Sequence, residues 1–264
     1  MPQETNLNVA PYFDDFTPDS NYYKVLFKPG FPVQARELTT LQSQLQNQVE
    51  DIGNHLFKEG SVVIPGGLTF KDSFRSIQID PEFLGIPVQL YLDQLVGKTV
   101  KGSSSGVSAR IVTYITDKES TKGNYTLYLA YLESGDGDGV STFYDNEVLR
   151  TTTDISYATT FIAAGEGFAN TITTGANNTG MAFQLGQGVF YLRGYFVDVQ
   201  DQVCILDQYS NTGSWRVGLK VEEDVISSDI DPSLTDNAQG FNNYTAPGAD
   251  RLRITATLEK RGFN

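Results

Sequence analysis

Between Pro32 and Gly60 the chain carries no internal proline and no glycine other than Gly53. Leu38, Leu41, Leu45, Val49, Ile52 and Leu56 recur in steps of three or four, a spacing that lines them along one face of a helix. Pro32 near the start and Gly60 at the end are the punctuation such a helix needs. Residues 31–60 are therefore expected to form the one long helix of the chain. Everything around it has to be assembled from shorter, extended pieces.

The other faces of this segment carry Gln42, Gln44, Gln46, Asn47 and Gln48 in place of the Lys and Glu of an ordinary soluble helix. Leu38, Leu45 and Ile52 are seven apart, as are Leu41, Gln48 and His55, so the segment also reads as a heptad seam with one aliphatic row and one row that turns polar. Two readings follow. In the first, the aliphatic stripe packs on the chain's own sheet and the glutamines face water. In the second, Leu38, Leu41, Leu45, Gln48, Val49, Ile52 and Leu56 form an oligomer interface at a three-fold axis, where glutamine amides both donate and accept between symmetry mates.

The 264 residues have room for one large domain or two modest ones. Fourteen Tyr and 16 Phe against a single Trp, with plentiful Thr, Val and Gly, favour strands. The fold expected is mainly β with one long N-terminal helix. A lone Cys204 rules out an internal disulfide framework. The formal charge of -13 repels a phosphate backbone, so no nucleic-acid partner is expected. No apolar run reaches the roughly 18 residues of a membrane helix, and MPQETNLN lacks the basic and apolar regions of a signal peptide. Membrane insertion is not expected, and synthesis is expected in the cytosol.

Along the chain, residues 1–30 read as an extended arm. Phe13, Phe16, Tyr22, Tyr23 and Phe27 are too many aromatics for a solvated tail, so the arm is a candidate docking element. Asp14, Asp15 and Asp19 within it fit turn chemistry. SVVIPGGLTF and RSIQIDP read as strands, the second with Ile77 and Ile79 on one side. From 95 to 150, short alternating runs (Val107, Ala109, Ile111; Tyr125, Leu127, Leu129) separated by Gly-Ser and Gly-Asp turns suggest a small antiparallel barrel or sandwich inserted into a main β domain of residues 61–94 and 151–264. GVFYLRGYFVDVQDQVCIL is the clearest hairpin, with Phe190, Leu192, Phe196 and Val199 expected inside. The sequence ends on an alternating strand (Leu252, Ile254, Ala256, Leu258). That ending suggests the head of a longer polypeptide, with a natural stop at Asn264 the alternative.

Catalytic chemistry finds little to stand on. The single histidine, His55, lies on the helix with no nucleophile elbow to meet. One His and one Cys cannot close a tetrahedral zinc site. No Gly-rich loop leads into a helix through Lys-Ser/Thr. Asp136, Asp138 and Glu147 fit positions one, three and twelve of a calcium loop, but Val140 and Ser141 miss positions five and six, so a hairpin tip is the better account. Asp229, Asp231 and Asp236 beside Pro232 and Ser233 fit an Asx-type turn. No catalytic, cofactor-binding or metal residue is named, and no cofactor is expected.

The runs PYFDDFTPDSNYYKVLFKPGFPVQARELTTLQSQLQNQ and GNHLFKEGSVVIPG, with GVFYLRGYFVDVQDQ, ILDQYSNTGSWRVGL and NYTAPGADRLRI, resemble an uncharacterised domain at the N-termini of virion structural proteins of tailed bacteriophages. Members of that family are tail-fibre or baseplate-associated proteins. The resemblance implies a non-enzymatic, trimeric attachment domain of a tail fibre that docks on the baseplate or other tail proteins. It brings no catalytic residues. A distal shaft is expected to follow in the same or another chain, and the location implied is the virion tail. The alternatives are a baseplate wedge or neck-fibre component ending near residue 264, and a glycan-binding or depolymerising module.

Overall fold

The computed structural model describes residues 3–135, 137, 139–157 and 160–263. These gather into two compact units. Residues 3–67, 185–202 and 218–259 form one; the described residues between 68 and 184, with 203–217 and 260–263, form the other. The chain is mainly β, and the helix expected from the sequence runs from Ala35 to Leu56.

In the first unit, the helix starts where a capping box closes. The Gln34 side chain accepts the Glu37 N–H, and the Gln34 N–H donates to Glu37 Oε2 at 2.9 Å. The helix is shorter than the 31–60 expected: Pro32 and Val33 precede the cap, and Gly60 takes a left-handed φ of 81° after the helix has ended. Beside it lies a three-stranded sheet ordered Val62–Ile64, Gly188–Leu192, Tyr195–Val199. The last two strands join through Arg193 (φ 51°) and Gly194 (φ 83°). Two left-handed residues in a two-residue loop match the twist of the flanking strands.

Side chains alternate across this hairpin. Phe190, Leu192, Val197 and Val199 pack on one face with Leu185, Ala256 and the half-buried Leu219, Val221, Ile254 and Leu258. The last five residues belong to the paired strands Trp215–Ile226 and Arg251–Gly262. Tyr191 and Phe196 sit opposite one another on the other face and meet Phe57, with ring centroids 5.9 and 5.8 Å away. Phe196, which alternation alone places inside, packs against Phe57 and Tyr191 yet is exposed by 44%.

The second unit is built on an eight-stranded sheet. Its order is Gly167–Asn170, Val148–Thr151, Thr99–Gly102, Ser108–Ile115, Tyr125–Glu133, Leu68–Ile79, Asn177–Leu185, Gln202–Asp207. The first six pair antiparallel. Ile77, Ile79, Leu127, Leu129, Ala109 and Ile111 share one core with Tyr91, Leu92 and Leu95. Phe74, Ile115, Tyr128 and Ala182 form a smaller one, in which the Phe74 and Tyr128 rings stack at 5.2 Å. Neighbouring residues on one strand thus serve two different clusters, as period-two alternation requires.

The expected inserted barrel is corrected here. Strands from 95–150 are correctly placed, but they are central members of the large sheet, paired to Leu68–Ile79 on one side and Gly167–Asn170 on the other. The sheet keeps two open edges. Turn spacing signals strand length, and it carries no information on whether a sheet closes on itself.

Candidate functional site: an outward helix face and a two-part arm

The helix turns its polar and small residues inward. Ser43 and Thr40 donate to the Asp14 carboxylate, Gln46 Nε2 donates to Gly194 O at 2.8 Å, and Gln44 and Glu50 are buried. Gly53 is packed under Tyr191, where a Cβ would come within 2.5 Å of the ring. The Tyr191 hydroxyl is held by Glu50 O at 3.1 Å and Asn54 Oδ1 at 2.9 Å. Burial pushes the Glu50 carboxyl above its ordinary range.

The aliphatic stripe faces out. Leu38 (49%), Leu45 (59%), Val49 (42%), Ile52 (63%) and Leu56 (66%) are all exposed. Of the other predicted interface residues, Gln48 is exposed and Leu41 is half-buried at the margin. The structure therefore reverses the reading in which the stripe packs on the chain's own sheet. An amphipathic helix that buries its hydrophilic side leaves apolar surface in water at a cost of roughly 25 cal/mol per Å², which marks the face as one meant to be covered.

The arm divides in two. Residues 3–16 are tied down. The Glu4 and Thr5 N–H groups donate to the Glu223 carboxylate at 3.0 and 2.8 Å. Arg193 pairs with both Glu223 and Glu4 at 2.9 Å. Tyr195 donates to Gln3 Oε1 at 3.1 Å, Tyr12 donates to Asp250, and Arg36 meets Asp15 at 3.1 Å. Burial pushes the Glu223 carboxyl up, but the Thr5 and Glu4 donors and Arg193 outweigh it and hold its pKa at about 2. Phe16 is half-buried within this part, while Phe13 is exposed.

Residues 21–34 differ. Tyr22, Tyr23, Leu26, Phe27, Phe31 and Val33 are all exposed, and the contacts described for this stretch are local: Tyr23 to Asn21, Phe31 N–H to Lys28 O, and the Lys28 ammonium 5.9 Å from the Phe31 ring centre. Tyr22, Tyr23 and Phe27, predicted as docking residues, therefore stand on open surface in the stretch that precedes the helix in the chain.

The clamp on the arm was not legible in the sequence. Glu223 sits in the run Glu222-Glu223-Asp224, which looks like an ordinary solvated acidic patch, and the Glu4 and Thr5 amides it binds lie over two hundred residues away. Elsewhere, the Glu147 carboxylate accepts the N–H groups of Ser104 (2.6 Å), Ser105 (2.5 Å) and Tyr144 (2.9 Å), so it organises backbone; Asp136 and Asp138 lie outside the described residues. Asp231 accepts the Ser233 N–H at 3.0 Å, the Asx-type turn expected there. His55 is exposed on the helix. Among the described residues, no group of three or more His, Cys, Asp or Glu side chains is placed to hold a metal ion, and no helix is long and apolar enough to cross a membrane.

The profile of a protein family described as Domain of unknown function (DUF4815) matches residues 10–118 and 145–262. No curated protein and no solved structure matches the chain.

Proposed function

The chain belongs to the DUF4815 family over most of its length, and we propose that it serves as a structural attachment module of a bacteriophage virion: the trimeric N-terminal domain of a tail fibre, docked on the baseplate. The role is assembly, with no reaction and no cofactor. One observation carries this reading. The long helix offers its aliphatic stripe to the outside, and the aromatic half of the arm that leads into it is equally uncovered. Both are surfaces for protein partners, one repeated along a helix as self-association requires, the other extended and aromatic as hot-spot contacts are. The sequence blocks that resemble phage fibre proteins supply the biological setting.

Light scattering on the purified chain tests the assembly, with a particle three times the 29.1 kDa chain mass expected. A virion reconstruction that finds these residues at the junction of fibre and baseplate would support the location. Finding them at the neck, or in no virion particle, would sink it.

A further inference from the structure

Within that self-associating reading, we infer that the partner of the helix is two further copies of the same helix, parallel and in register, along a seam of Ala35, Leu38, Gln42, Leu45, Val49, Ile52 and Leu56. These positions follow one another at intervals of three and four without a break, which is the a/d pattern of a left-handed bundle. All seven are exposed. The seam shares the row Leu38, Leu45 and Ile52 with the one read from sequence. Its second row is Ala35, Gln42, Val49 and Leu56, because the structure turns Leu41 to the margin.

Three features identify the occupant as this chain's own helix. First, the seam and its free flank of Leu41, Gln48 and His55 contain no acidic side chain, although the chain carries 32 Asp and Glu and a net charge of -13. A basic foreign partner would be met by carboxylates; identical acidic copies can approach only on a face without them. Second, Gln42 is the single polar residue of the seam. In a parallel, in-register bundle the Gln42 amides meet one another and can bond. In an antiparallel pairing about the helix centre Gln42 would face the Val49 region and stay unpaired in an apolar seam, which is costly. Third, Ile52 at a d position and Leu56 at an a position move the C-terminal end of a parallel bundle away from two strands, against the two-strand preference of Val49 at a with Leu45 at d. The opposite flank, Gln46 and Gly53, is covered by Gly194 and Tyr191 of the same chain.

The test uses the full chain with Cys204→Ser, which removes the only native thiol, and with His55→Cys. A short bis-maleimide is expected to join position 55 of one copy to position 55 of another. In an antiparallel arrangement these positions lie roughly 30 Å apart, from the 1.5 Å rise per residue, and no such product forms. An assembly by light scattering that fails to cross-link at position 55 overturns the parallel register while leaving self-association standing. A monomer at micromolar concentration, with helical circular dichroism intact, overturns both. A second variant, Gln42→Val, is expected to keep the chain associated but to broaden the assembly into more than one stoichiometry. A single unchanged trimer would remove Gln42 from the account.

Discussion

A Cβ at position 53 would meet three atoms of the Tyr191 side chain at 2.5–2.7 Å, and the hydroxyl of that tyrosine is itself fixed by Glu50 O and Asn54. Alanine is the better helix former by about 1 kcal/mol, yet overpacking a fixed ring costs about 1–3 kcal/mol. Gly53→Ala should therefore lower stability, by about 1 kcal/mol in urea unfolding. A gain in stability would show that Tyr191 gives way freely. Glu223 permits a pH prediction. Its folded pKa is depressed from 4.5 to about 2, so the clamp contributes stability above the unfolded value and loses it as pH falls from about 4.5 through about 2. Protection of the Glu4 and Thr5 amides, taken against the intrinsic exchange rate at each pH, should fall across that window in the native chain. Glu223→Gln should show low protection there already at neutral pH, and little further change in it on acidification.

At the level of the element, the helix was foreseeable because a 3.6-residue period is a local signal. Residues 35–56 needed no knowledge of distant partners to be recognised. The direction of its apolar face was not foreseeable. That depends on Asp14, Gly194 and Tyr191, brought to the helix from far along the chain. Because Leu45 and Ile52 touch little within their own unit, Leu45→Asp with Ile52→Asp should dissociate the assembly and leave the circular dichroism and unfolding midpoint of the monomer nearly unchanged. Collapse of the fold instead would mean that these residues are covered within one chain. The two-part arm makes its own prediction. Trypsin should cut the dissociated chain first at Lys24, in the exposed part, before any site within the sheets.

For the molecule as a whole, the sequence disclosed strand positions better than strand partnerships. Alternation located Ile77 and Ile79, Ala109 and Ile111, and Leu127 and Leu129 on shared faces. Which strand pairs with which is set by contacts between residues far apart in the chain, and the sequence shows no local mark of them. Strands of one sheet therefore look, in the sequence alone, like a separate barrel. Net charge supplies a prediction at this scale. Copies of a chain at -13 repel one another, while the seam itself has no acidic side chain, so added sodium chloride should hold or strengthen the assembly as repulsion is screened. Dissociation by salt would mean that ion pairs, and not the aliphatic seam, hold the copies together.

The hairpin Gly188–Leu192 with Tyr195–Val199 touches the helix through Tyr191, its end at Phe57 through Phe196, and the Trp215–Ile226 ribbon through Phe190, Leu192, Val197 and Val199. Mechanical load placed on the helix can therefore reach the ribbon through a short ladder of antiparallel rungs, beside the path through the clamped arm. Pulled along the strands, those rungs share the force; peeled from one end, they fail one by one. Which of the two a tethered molecule experiences depends on the direction in which it is tugged.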